Sequence, residues 1–232
     1  MNILITGAGR GLGLELTAAA LGRGHAVIAG VRDPARGQAA LTELAATYGD
    51  KLTLAVLDVA DEAGIAALAA SLKEQGQTLG AIINNAAVLN ATDTVLEALD
   101  MEEMQRAIDT NLYGPMRVVK HLLTLLTEPG ASIINVSSEA GSITNAYPNS
   151  YPYTISKTAL NMFSQKLHVT LKDRGIHVLS VHPGWMPTDM GGSKAPLDPR
   201  ISAEGILDLI EQRTGPQGHF RFVDYTGKDM EI

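Results

Sequence analysis

Asn2-Ile3-Leu4-Ile5-Thr6, followed directly by Gly7-Ala8-Gly9-Arg10-Gly11-Leu12-Gly13, is the stretch that decides the reading of this chain. The first five residues form a short apolar run of strand length, and the four glycines that follow make a turn where backbone can pass close to a ligand. Gly11 to Arg23 then reads as a helix, whose free N–H groups and dipole at its start favour a pyrophosphate. The spacing is T-G-x-x-x-G-x-G through Gly7, Gly11 and Gly13; the strict G-x-G-x-x-G string is absent. A tight strand-to-helix turn that merely tolerates glycine would give a similar pattern. The density of glycine favours phosphate binding over it.

Outward from this turn, short apolar runs alternate with longer amphipathic ones, as in parallel strands covered by helices on both faces. Strands are expected at Asn2 to Thr6, His25 to Val31, Leu52 to Leu57, Ala81 to Asn84, Ser132 to Val136, His177 to Val181 and Phe220 to Val223. Helices are expected at Gly11 to Arg23, Pro34 to Tyr48, Glu62 to Gln75, Met101 to Leu126, Tyr153 to Arg174 and Ala203 to Arg213. Pro34 suits a first helical turn, and Gly24 and Gly49 suit the left-handed position after a helix. The expected fold is α/β: a single-domain, Rossmann-type, doubly wound parallel sheet of about seven strands over residues 1–232, with helices on both faces. Pro183 to Pro199 is a candidate functional loop.

Composition narrows the chemistry. The chain has 232 residues, 45% hydrophobic and 19% charged, with a formal net charge of -7. No basic run offers the clustered Lys and Arg that nucleic acid requires. The absence of cysteine excludes disulfides, thiolate metal sites and a cysteine nucleophile. None of the six histidines has a metal-ligand partner spacing, so no metal is expected. No apolar run approaches the roughly 18 residues of a membrane span. With no secretory leader before the first strand, a cytoplasmic location is the expectation.

Further along stand Asn84-Asn85-Ala86-Ala87, Asn111, Ser137-Ser138 and Tyr153-Thr154-Ile155-Ser156-Lys157. With the glycine turn, these motifs resemble the short-chain dehydrogenase/reductase family, in order and spacing, from Thr6 to about Met190. His182-Pro183-Gly184-Trp185, Thr188-Asp189-Met190 and the Asp224-Tyr225-x-Gly227-Lys228 ending resemble its small carbonyl-reductase-like and C-factor-like members. One departure is visible: the family usually has glycine where this chain has Ala87.

Tyr153 and Lys157 lie four apart on an expected helix and so share a face. A phenol near pKa ~10 is a poor base at neutral pH, and a neighbouring ammonium would favour its phenolate. The resemblance implies that Tyr153 is the general acid or base and that Lys157 lowers its pKa and holds the nicotinamide ribose. It implies that Ser138 donates to the substrate oxygen, and that Asn111 holds a water linking Lys157 to solvent. Taken singly, Ser138 could cap a strand end and Asn111 could satisfy backbone. Tyr151 is a rival phenol without a lysine partner; Ser137 is a rival hydroxyl, and strand neighbours point to opposite faces.

The implied cofactor is NADP(H), with NAD(H) as the alternative. The position at the end of the second strand that usually carries an acid for the ribose 2′-hydroxyl is Val31, and Arg32 follows it. Arg32 and Arg10 would pair with a 2′-phosphate; alternatively Arg32 pairs with an acid and Asp33 takes the ribose. By the same resemblance Gly7, Gly9, Gly11, Leu12 and Gly13 hold the pyrophosphate, Asp58 and Val59 the adenine, and Asn85 and Ala86 flank the cofactor. Pro183, Gly184 and Thr188 lie near its carboxamide, and Trp185 and Met186 line the substrate pocket. The implied activity is hydride transfer between NADP(H) and a small-molecule carbonyl or secondary alcohol. The alternatives are an NAD-dependent alcohol dehydrogenase and a non-catalytic dinucleotide sensor. Relatives pack into homodimers or homotetramers through two long helices, and the smaller ones also occur as monomers. No nucleic-acid or membrane partner is expected.

Overall fold

The computed structural model describes residues 1–33 and 39–232. Seven parallel strands form one sheet in the order β3-β2-β1-β4-β5-β6-β7. The strands are β1 (Asn2–Thr6), β2 (Ala26–Val31), β3 (Leu52–Val56), β4 (Ala81–Asn84), β5 (Ser132–Val136), β6 (His177–His182) and β7 (Phe222–Asp224). The helices are α1 (Gly11–Gly22), α2 (Ala39–Tyr48), α3 (Glu62–Glu74), α4 (Met101–Ile108), α5 (Gly114–Leu122), α6 (Tyr151–Leu171) and α7 (Pro199–Ile210). The chain builds outward from β1 to β3, then crosses to β4 on the other side of β1. This reversal opens a crevice at the C-terminal ends of β1 and β4, where ligands bind in open α/β sheets.

Strand alternation divides the core. Ile3, Ile5, Val27, Ala29, Ile83, Ile134 and Val181 pack with Leu16 and Leu21 of α1, Leu41 of α2 and Ile206 of α7. Leu4, Ile28, Ile82, Ile133 and Val178 pack instead with Ile65 and Leu72 of α3, Val118 and Leu122 of α5 and Leu171 of α6.

The expected Met101 to Leu126 helix is not uniform. A π-helical turn, Asp109–Tyr113, separates α4 from α5, and a 3-10 turn, Leu123–Leu125, follows. The cause is legible in the sequence: Pro115 has no N–H to offer the Asn111 carbonyl four residues earlier, so the α-helical ladder cannot continue there. Gly114, next to it, lies where a Cβ would come within 2.9 Å of Val59.

Several boundaries also move by one to a few residues. The sixth helix starts at Tyr151, two residues before the expected Tyr153, because Pro152 fits its first turn. The seventh starts at Pro199, with the Asp198 side chain accepting from Arg200 N, and not at Ala203. The last strand is Phe222–Asp224, not Phe220 to Val223. The third stops at Val56, one residue short of the expected Leu57. Gly24 and Gly49 do adopt positive φ, +85° and +54°. The expectation for Pro34 falls outside the described residues. Among the described residues no helix is long and apolar enough to cross a membrane.

Candidate active site

The glycine turn is fixed from below by Thr6. Its buried hydroxyl accepts hydrogen bonds from the N–H groups of Asn85 and Ala86, both at 3.0 Å. The Asn85 side chain returns two bonds, to Thr6 O at 3.0 Å and Gly7 O at 3.2 Å. The C-terminal ends of β1 and β4 are thereby clamped together across the crevice. Gly7 and Gly11 have φ of +65° and +52°, and a Cβ on Gly13 would lie 2.2 Å from Gly7 O. No other residue fits at Gly13 without moving the turn. Arg10, preceding α1, supplies no side-chain cap, so the first N–H groups of the helix are left for a ligand. These features fit a dinucleotide pyrophosphate: an uncapped helix start, close backbone approach and positive φ where the turn needs it.

Around the turn, a Cβ on Gly9 would meet Val31 at 3.5 Å and one on Gly11 would meet the Thr188 methyl at 3.5 Å. The Thr188 hydroxyl accepts from Gly191 N. Leu12 and Val59 are buried in the core, and the Asp58 carboxylate accepts from Ala60 N at 2.9 Å. The sequence reading missed one contact: the Arg10 guanidinium is paired with Asp189, both side chains being exposed, 74% and 78%. Arg32 is also exposed.

Asn111, Ser138, Tyr153 and Lys157 come together beside this crevice. Asn111, 1% exposed, sits in the π-helical turn. Its side chain accepts from Val88 N at 2.8 Å and donates to Val88 O at 2.9 Å and to Ser156 Oγ at 3.0 Å. Ser156 in turn donates to the Tyr153 carbonyl at 2.7 Å. The Asn111 side chain is thus fully engaged, and Pro115 has no N–H to offer its main-chain carbonyl. Ser138 opens a 3-10 turn after β5, accepting from Ala140 N at 3.2 Å. Its neighbour Ser137 points the other way, donating to Asn161 Oδ1 at 2.6 Å, which removes it as a rival.

Lys157 is 2% exposed; its ammonium donates to Val136 O at 2.7 Å and lies 5.5 Å from the centre of the Tyr153 ring. Burial pulls Lys157 down to about 7. Burial pushes Tyr153 up to about 12, with a smaller opposing effect of its hydrogen bond with Ser138 and a further upward push from Tyr147. In the chain by itself, Tyr153 therefore moves opposite to the lowering expected from Lys157. A dry site favours the neutral form of each partner, and the ammonium is turned toward a carbonyl.

The loops above the pair are held in left-handed backbone. Ala91, Asn149 and Ser150 have φ of +50°, +71° and +50°, and the Ser150 N–H and hydroxyl both donate to Thr92 O, at 3.1 and 3.0 Å. Three such non-glycine residues next to one site store strain that these bonds must hold. After β6, Gly184 takes φ +83°, and a Cβ there would come 2.3 Å from Leu197. Trp185 is 57% exposed and donates to Gly191 O at 2.7 Å, whereas Met186, expected to line the pocket, is buried in the core with α1 and α7. A further contact has only a weak sequence signal: His182 Nδ1 accepts from Glu139 N at 3.1 Å, tying the end of β6 to the turn that carries Ser138.

The family model for short chain dehydrogenase matches residues 1–197. Over 151 residues the chain is 34% identical to the C-signal of Myxococcus xanthus, covering 64% of this chain and 90% of that one. The carbonyl reductase Sniffer of D. melanogaster superposes with a TM-score of 0.90 at 32% identity, over 100% of this chain and 99% of that one. An NADPH-bound carbonyl reductase from chicken fatty liver superposes with a TM-score of 0.88 at 30% identity, over 100% and 98%.

Proposed function

The chain belongs to the short-chain dehydrogenase family, and from that premise we propose that it is an NADP(H)-dependent carbonyl reductase in which Tyr153 handles the proton. Its family fixes an oxidoreductase that binds a nicotinamide dinucleotide and acts on a small molecule. The observation that carries the finer reading is the convergence of Ser138, Tyr153 and Lys157 beside an uncapped, glycine-lined helix start.

The glycine turn and the first N–H groups of α1 would hold the pyrophosphate, and Lys157 the nicotinamide ribose. Bound there, the nicotinamide would supply or accept the hydride. Tyr153, pushed up to about 12, is protonated at neutral pH and gives that proton to the carbonyl oxygen in reduction. Ser138 donates to the same oxygen, where negative charge develops. Lys157, pulled down to about 7, changes protonation easily near neutrality and so can pass a proton onward. The Asn111 carbonyl then accepts from the relay water that connects Lys157 to solvent.

The choice of NADP(H) rests on Val31 in place of an acid and on two arginines near the adenosine end; it is supported by the NADPH-bound relative. Because the Arg10–Asp189 pair is exposed, it holds Arg10 only weakly, and a 2′-phosphate can take it over. Exposed Tyr113 and Met116 near α5 and Met162 and Val169 on α6 support self-association through these helices.

The test is titration with NADPH and NADH side by side, followed by Trp185 fluorescence, then turnover on aldehydes and ketones. NADPH binding tenfold tighter, about 1.4 kcal/mol, is the expected result. Equal affinity, or a preference for NADH, would overturn the Arg10 and Arg32 reading, and carbonyl reduction that survives in Tyr153→Phe would overturn the mechanism.

A further inference from the structure

The end of the sheet opposite the glycine turn carries a second set of side chains with no role in this chemistry. His168 lies near the end of α6, Lys172 in the 3-10 turn after it, His177 at the start of β6 and Arg221 immediately before β7. Together they line a cavity of about 250 Å³, with Ile176 and Leu209 among its apolar walls. Four basic groups from three parts of the chain converge here, in a protein whose net charge is -7.

Among the described residues none of the four side chains makes a hydrogen bond or an ion pair, and Arg221 Nε is buried without an acceptor. Adjacent Arg174, by contrast, has its carboxylate in Glu128. His168 is held below the usual histidine range by burial first, then by Arg221, Lys172 and His177; His177 is lowered by burial and by Arg221. A buried guanidinium N–H without a partner is unfavourable, and an anion would satisfy it. The cavity is larger than a bare anion needs and smaller than the roughly 300 Å³ at which pockets for drug-sized ligands begin. Its inner wall is apolar, Ile176 and Leu209 each being 2% exposed.

We propose that this cavity binds a small amphipathic carboxylate, its head group on Arg221 and Lys172 and a short aliphatic body against Ile176 and Leu209. Its distance along β6 from His182 makes it separate from the site of hydride transfer, so the proposal stands whatever the cofactor preference.

Calorimetric titration of the purified chain with hexanoate at neutral pH tests it, with acetate and hexan-1-ol supplying head and body alone. The expected result is saturable one-site binding of hexanoate, at least tenfold tighter than either control, weakened at least tenfold in Arg221→Gln and unchanged in Tyr153→Phe. Should Arg221→Gln melt early, the double variant Lys172→Gln/His177→Gln is expected to show the same loss. Absence of saturable binding, equal binding by folded Arg221→Gln or the double variant, or loss of binding in Tyr153→Phe would each overturn the proposal. So would acetate binding as tightly as hexanoate.

Discussion

The two faces of the sheet are built differently. The face under α1, α2 and α7 is lined by aliphatic side chains along the strands, such as Ile3, Ile5, Ile83, Ile134 and Val181. The face under α5 and α6 begins in the same way, with Leu4, Ile82 and Ile133, but turns polar toward the C-terminal strand ends. There Asn84 donates to Asn135 at 2.8 Å, Asn135 to Ser164 at 2.9 Å, and Ser137 and Ser180 both to Asn161. Buried polar side chains must be paired or they destabilise the fold. Pairing them between β5, β6 and α6 fixes the helix that carries Tyr153 and Lys157 in one register over the sheet. One face supplies stability, and the other gives up some apolar packing to hold a helix in place.

The sharpest way to break this comparison is Tyr153→Phe. Loss of the proton donor should lower kcat by about 10³-fold, within the range for general acid catalysis, while NADPH affinity changes little; steady-state kinetics with a nucleotide titration reads both. On the opposite face, Leu16→Ala should cost about 2–5 kcal/mol of stability by opening a cavity, with kcat per folded molecule unchanged. Urea denaturation alongside turnover checks it, and a matching fall in kcat would show that the two faces are not separable.

A smaller effect follows from Lys157. Its proton is held up to about 10.5 in the unfolded chain but only to about 7 when folded. Between those values the unfolded chain binds more protons, so this group makes stability rise with pH, at up to ~1.4 kcal/mol per pH unit. Tyr153, raised from 10.0 to about 12, acts in the opposite sense, but only above about 10. Denaturation of Lys157→Met across this range, without added nucleotide, should show a flatter pH dependence than the parent chain; an unchanged slope would mean the buried ammonium is not destabilising. Smallest of all, Arg10→Ala should shift stability by less than about 1 kcal/mol, since an exposed ion pair contributes little, yet it should narrow the preference for NADPH over NADH in parallel titrations.

Much of the site was legible because its residues are tied to short sequence spacings. The glycine turn is local, and Tyr153 and Lys157 share a helix face at a separation of four. The strands were legible wherever they are short with an apolar centre, as at β1 and β4. The π-helical turn was not read, although Pro115 signals it, because amphipathic periodicity passes through a single widened turn with little change. Met186 was misplaced for a related reason: a methionine in a loop gives no periodic signal of the side on which it is buried. Arg10 and Asp189 are separated by 179 positions, and nothing in either segment points to the other.

The sequence by itself determined the strand-and-helix alternation, the glycine turn after β1 and the spacing of the side chains proposed to react, because each depends on residues close in the chain. Only the tertiary structure decided that β4 lies beside β1, that Ser138 and not Ser137 faces Tyr153, and that Tyr153 and Lys157 are shifted toward their neutral forms. Those outcomes depend on which segments exclude water from one another, and desolvation is a property of the packed assembly, which no single stretch of chain carries.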